Sequence, residues 1–265
     1  VYKCTRGSLL FSILDYTRRL FEKFSGYLNF VDQLIVPSAF TANYYEKNKV
    51  FPKAKIEHLP TFSNINNNLN ITKGKLNKRF NNKRFVFFGR VSEEKGVEYI
   101  PKAFLLLSKR LTLNFSLHII GFTDSKYSEF LKKFIDINGM SNVFCYDFLE
   151  AKELNLLLDD STFSIVPSIC YDNMPNSLIE SQALGLPVIA SNLGSFPELI
   201  TNQYNGFLFE NKNYVELASI IENSLTMDEN KYFEMSKNSF SWAYSYCNKD
   251  KHYKKLIEIF NRYVK

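Results

Sequence analysis

Cysteine and histidine are scarce in this sequence, and long apolar runs are missing from it. The four cysteines, Cys4, Cys145, Cys170 and Cys247, are scattered without a C-x-x-C spacing. With three histidines they make neither a disulfide framework nor a zinc site, which points to a reducing, cytoplasmic setting. No apolar run approaches the roughly 20 residues that a membrane-spanning helix needs. The segment "LLFSIL", from Leu9 to Leu14, is too short and lacks the cleavage pattern of a signal peptide. There is no G-x-G-x-x-G and no G-x-x-x-x-G-K-[ST], so neither a dinucleotide oxidoreductase nor a P-loop NTPase finds its phosphate loop here. No internal repeat is visible.

What is present is a chain of 265 residues, 45% hydrophobic and 23% charged, enough to bury a sizeable core in one large domain or two ordinary ones. A formal net charge of +6 leans toward anionic partners such as phosphates, nucleotides or an acidic lipid surface, which makes peripheral contact with an anionic membrane an expectation. The 25 phenylalanines and 16 tyrosines read as core filling, so no nucleic-acid partner is expected. His58 and His118 sit beside strand residues and read as core or boundary groups, while His252 falls on an amphipathic helix with its ring outward.

Residues Leu9 to Phe30 carry apolar groups at helical spacing, and "VDQLIVPS" then reads as a buried strand ending at Pro37. Ser38 is placed to cap a helix over Phe40 to Lys47, and "KIEHLP" gives a second short strand. Two strands cannot make a sheet with its own core. Residues 61–82 are rich in Asn and Lys without periodicity and read as a linker. From "FVFFG" onward strands and helices alternate strictly to Leu225, with continuously apolar strands. That order predicts an α/β fold, a doubly wound parallel sheet with helices on both faces.

Ligands of such sheets bind at the carboxyl ends of the strands. After the first of these strands comes "GRVSEEKG", in which Gly89 lets the backbone turn close to a ligand and Arg90 and Lys95 can converge on an anion. The same spacing fits a solvated Arg and Lys flanking Glu93 and Glu94, and both readings stand. After the fourth strand comes "YDNMPNSLIESQALGLPVIAS". Pro175 occupies the first turn of a helix, so that the amides of Asn176, Ser177 and Leu178 point at a phosphate or sugar. Asp172 precedes that helix and Glu180 lies within it. Spacing alone also allows a turn former and a surface acid.

"FFGRVSEEKG" followed by "VPSICYDNMPNSLIESQALGLPVIASNLGSFPELI" strongly resembles the donor domain of family 4 retaining glycosyltransferases of GT-B architecture. "LIVPSAF" and "HLP" resemble the last part of that family's N-terminal domain, and the segment from Ser239 to Phe260 resembles its closing helix. The resemblance implies four parts: the rear of an acceptor-binding domain (1–60), a linker (61–82), a complete nucleotide-sugar donor domain (83–245) and a closing helix (246–265). The N-terminal Rossmann-like domain is then only partly present, and transfer by this chain alone is expected to be negligible.

The resemblance also implies roles. Arg90 and Lys95 match the cations that clamp the donor diphosphate, neutralising the leaving group without a metal or other cofactor. The missing D-x-D motif agrees with that expectation. Glu180 matches the second acid of the family's E-x7-E motif, which accepts the ribose hydroxyls, and Asp172 stands in place of the first, which addresses the transferred sugar. Aspartate there is a departure, shorter by about 1.5 Å. Asn173, Met174, Asn176, Ser177 and Leu178 offer backbone amides to sugar and phosphate. Gly194 matches the first glycine of a G-G pair, and Ser195 replaces the second. Asp147 stands in the segment that contacts the nucleobase. The expected partners are a nucleoside-diphosphate-sugar donor and a saccharide or lipid-linked acceptor, in bacterial surface polysaccharide assembly. A sugar-nucleotide-binding or scaffolding protein without catalysis is the second reading.

Overall fold

The structure, a computed structural model, describes residues 9–62, 71–111 and 114–263. It divides into two compact units, one ending at Leu59 and one beginning at Pro60. The first contains helix α1 (Leu9–Phe24), a 3-10 turn (Tyr27–Phe30), strand β1 (Gln33–Val36), helix α2 (Ala39–Lys47) and strand β2 (Lys55–His58). The strands pair in parallel with Gln33 opposite Lys55 and Val36 opposite His58, so β1, α2 and β2 form one crossover unit. Ser38 caps α2 by accepting the Thr41 amide at 3.2 Å. No helix among the described residues is long and apolar enough to cross a membrane.

The second unit holds the sheet predicted by the alternation. Its strands are β3 (Arg84–Phe88), β4 (Ser116–Ile120), β5 (Val143–Tyr146), β6 (Phe163–Val166), β7 (Val188–Ser191) and β8 (Gly206–Phe209). All are parallel, in the order β5-β4-β3-β6-β7-β8. Successive strands step outward in one direction from β3 and in the other from β6, so the chain reverses between these two neighbours. The crevice of such a sheet opens at that switch point. Phe85 and Phe163 face each other across it with ring centroids 5.9 Å apart, and Phe104 packs edge-on against Phe85. Both sheet faces carry buried apolar clusters, one around these rings and others around Leu178 and Leu186.

Three expectations need correction. Within the stretch read as a linker, Lys73–Asn82 forms helix α3, capped by Thr72; residues 63–70 of that stretch lie outside the described residues. Its buried face is Leu76 and Arg79, and a cation on the core side hides an apolar periodicity. The wholly buried Arg79 donates to the carbonyls of Asp159 and Leu184, each at 2.9 Å. Those carbonyls end helices α6 (Ala151–Asp159) and α7 (Asn176–Ala183), where unpaired acceptors and the helix dipole favour a cation. The closing segment is likewise two helices, α10 (Glu229–Tyr246) and α11 (Lys249–Asn261), following α8 (Phe196–Leu199) and α9 (Tyr214–Leu225). Asn248 breaks the run by accepting the Lys251 amide as a new cap. His252, expected outward, is half-buried beside Phe62, with a ring nitrogen 2.6 Å from the Pro60 carbonyl oxygen.

Candidate active site

The loop after β3 begins with Gly89 at φ 144°, a backbone that disfavours any side chain. Its amide donates to the Ile120 carbonyl at 3.2 Å, and the Val91 amide donates to Gly121 at 3.0 Å, so the loop is strapped to the end of β4. Arg90 projects from it, about 69% exposed, and pairs with Glu94 at 2.9 Å. Burial raises the Glu94 carboxyl pKa, but its own backbone amide, Ser92, Arg90 and Lys95 outweigh that and leave it below the usual value.

Helix α4 (Tyr99–Ser108) follows a 3-10 turn, Glu93–Lys95, that ends at Gly96. Gly96 has φ +63°, and a Cβ there would lie 2.1 Å from the Pro167 carbonyl oxygen. No other residue fits between these two backbones. The Ile169 amide donates to the Glu94 carbonyl at 3.0 Å, completing the junction between the loops that leave β3 and β6.

That junction delivers Lys95 to Asp172. Its ammonium lies 2.7 Å from Oδ1 and 3.0 Å from Oδ2, and the Ser168 hydroxyl donates to Oδ2. Ser168 is tied in turn by the Ser191 hydroxyl, which donates to its carbonyl at 2.6 Å. Ser195, the residue in place of a second glycine, donates its hydroxyl to the Asp172 carbonyl at 2.8 Å, directly after the left-handed Gly194. None of these serine contacts was anticipated. The signal for them was only that "VPS" and "IAS" each end a strand in serine, where ligands and their supports gather.

Helix α7 begins at Asn176, so Pro175 precedes it and does not occupy its first turn. Pro175 is its N-cap, and its carbonyl already accepts the Leu178 amide at 3.2 Å and the Ile179 amide at 3.3 Å. The helical amides left open toward a ligand are therefore those of Asn176 and Ser177, and Leu178, wholly buried, is removed from that set. Met174 is also buried, its sulfur accepting the Thr61 amide at 3.3 Å, while Asn173 stays exposed.

Glu180 shares the exposed face of α7 with Asn176, four positions earlier, because Leu178, Ile179, Ser181, Gln182 and Ala183 turn inward. Its carboxylate makes no hydrogen bond or ion pair among the described residues. Protein packed around it strips enough water to raise its pKa above the ordinary glutamate value. It touches neither Arg90 nor Lys95. Asp147 sits at the end of edge strand β5, where its carbonyl accepts the Gly121 amide at 3.1 Å and its exposed carboxylate pairs with Lys132 at 3.2 Å. The loops after β3 and β6 thus present two cations and an open helix N-terminus, with an unengaged acid further along α7, a set suited to an anion joined to a hydroxylated group.

A family model described as "Glycosyl transferases group 1" matches residues 70–242. An uncharacterized glycosyltransferase of Methanocaldococcus jannaschii is 24% identical over 264 residues, covering 97% of this chain and 62% of that protein. The amylovoran biosynthesis glycosyltransferase of Erwinia amylovora is 28% identical over 144 residues, covering 52% of this chain and 35% of that protein. The chain therefore spans less than two thirds of the length of either relative. The structure of Anabaena Alr3699/HepE in complex with UDP-glucose superposes with a TM-score of 0.75 at 19% identity, covering 94% of this chain and 69% of that one.

Proposed function

The chain belongs to the glycosyl transferases group 1 family and has a GT-B type fold, and from that premise we propose that it transfers a sugar from a nucleoside-diphosphate donor with retention of configuration. The observation that supports the reading is the junction of the two loops, which holds Lys95 against Asp172 shortly before the α7 N-terminus. In this reading Arg90, Lys95 and the amides of Asn176 and Ser177 stabilise the charge that grows on the departing diphosphate. Glu180 accepts the ribose hydroxyls, and the segment at Asp147 borders the nucleobase. An oxocarbenium-like centre forms as the bond to the diphosphate oxygen breaks, and the acceptor hydroxyl attacks from the same face and gives its proton to that departing oxygen, so no side chain serves as nucleophile and no metal is required.

The acceptor is a saccharide or a lipid-linked saccharide in surface polysaccharide assembly. The amylovoran relative supports that setting. A lipid-linked acceptor would bring the protein to the anionic inner face of the membrane. The test is calorimetric titration with UDP, GDP and ADP against uridine, guanosine and adenosine. One diphosphate should bind well above its nucleoside, and indifference to all three would reject the donor site.

A further inference from the structure

The family pattern sends the first acid of the motif to the transferred sugar, and Asp172 holds that position. Its surroundings occupy it otherwise. Both carboxylate oxygens lie within hydrogen-bond distance of the Lys95 ammonium, and Ser168 donates to one of them. The backbone on which the acid sits is held as well, through the Ser195 hydroxyl on its carbonyl. Ser168 is wholly buried, so its hydroxyl has one fixed task. The Asp172 side chain is only 16% exposed and that of Lys95 27%, so the pair is largely withdrawn from water. A carboxylate shorter by about one methylene, with both oxygens turned to Lys95 and one of them also to Ser168, is poorly placed to reach for a sugar.

We propose that Asp172 serves the diphosphate clamp and not the sugar. Its carboxylate is a positioning group that tethers the Lys95 ammonium between the carboxyl ends of β3 and β6, and Ser168 orients that carboxylate. The inference rests on the donor-site reading above. Lysine has a flexible four-carbon stem, and a fixed partner removes the entropy that a phosphate contact would otherwise have to overcome. An ammonium has three donors, so two can serve Asp172 while the third is kept for a phosphate oxygen. Pairing also masks the acid, which would otherwise repel the diphosphate at close range.

The experiment uses whichever of UDP, GDP and ADP binds tightest, together with its glucose conjugate, on the Asp172→Asn, Lys95→Ala, doubly substituted and Ser168→Ala proteins. Asparagine is isosteric, and thermal melts establish that each variant is folded. In the single Asp172→Asn variant, loss of the tether and loss of the masked repulsion oppose each other. Whatever the sign, the diphosphate and its glucose conjugate should change by the same factor. Lys95→Ala exposes the acid and should lose about ten- to a hundredfold in affinity, and adding Asp172→Asn should restore about fivefold or more. Ser168→Ala should weaken both ligands equally, by roughly two- to tenfold. A loss confined to the glucose conjugate in Asp172→Asn, or no recovery in the double variant, would overturn the proposal while leaving the donor site standing. Failure of all three diphosphates to bind the unsubstituted protein would overturn the donor site and this inference together.

Discussion

The guanidinium of Arg79, wholly buried, donates at 2.9 Å to the main-chain carbonyl of Leu184, 105 positions further along the chain. It also reaches the Asp159 carbonyl at 2.9 Å and the Asp159 carboxylate at 3.2 Å, so one side chain closes the ends of α6 and α7 on α3. Helix α7 is the element that carries Glu180 and the open amides.

Replacing Arg79 by alanine leaves those carbonyls without a donor and opens a cavity under α3. Asp159 is partly exposed and keeps Lys75, so the cost is that of the buried carbonyls left unpaired, on the order of 1–3 kcal/mol each. Urea unfolding should show the midpoint falling accordingly with little change in slope. A loss below about 0.5 kcal/mol, the scale of ordinary surface substitutions, would show that the staple is dispensable.

Arg90→Ala and Lys95→Ala should each weaken the nucleoside diphosphate more than the free nucleoside. A charge-assisted contact contributes about 1.5–3 kcal/mol, or about ten- to a hundredfold in affinity. Calorimetry that found equal losses for nucleoside and diphosphate would remove both residues from the clamp.

Glu180→Gln keeps the size of the side chain but gives up its charge and half of its acceptor capacity. Affinity for the ribonucleotide should drop, with the 2'-deoxy analogue less affected. The pH dependence has a definite sign. Burial holds the carboxyl pKa above the ordinary value, and hydroxyl donors bind the ionised form. Binding therefore releases a proton, and affinity declines as pH falls through that raised pKa, earlier than a solvated glutamate would give. Titrations repeated across that range should lose this dependence in the Gln variant.

Gly96→Ala places a Cβ 2.1 Å from the Pro167 carbonyl oxygen, in a left-handed backbone that costs a non-glycine residue about 1–3 kcal/mol. The two loops must part. The expected result is a lower melting temperature together with weakened diphosphate binding, because Lys95 moves away with its loop. Unchanged diphosphate affinity would mean that the junction does not position the clamp.

Local pattern was enough for much of this protein. Continuous apolar runs alternating with helical spacing identified the doubly wound sheet from Phe85 onward, Ser38 was legible as a cap, and Arg90, Lys95, Asp172 and Glu180 stood out after strands where ligands gather. Such signals act over a few residues, through backbone sterics and the period of one face. Helix α3 escaped because its core side is read through Arg79, whose burial depends on carbonyls supplied by helices far along the chain. The break at Asn248 was hidden inside an otherwise helical composition. Spacing could place Lys95 and Asp172 each on a loop, but not against one another. Their contact follows from β3 pairing with β6 and from a glycine thin enough to let two backbones meet. Strand order is chosen by how the helices and aromatic rings pack over the whole sheet, so the partner of each charged group was decided only by the tertiary structure.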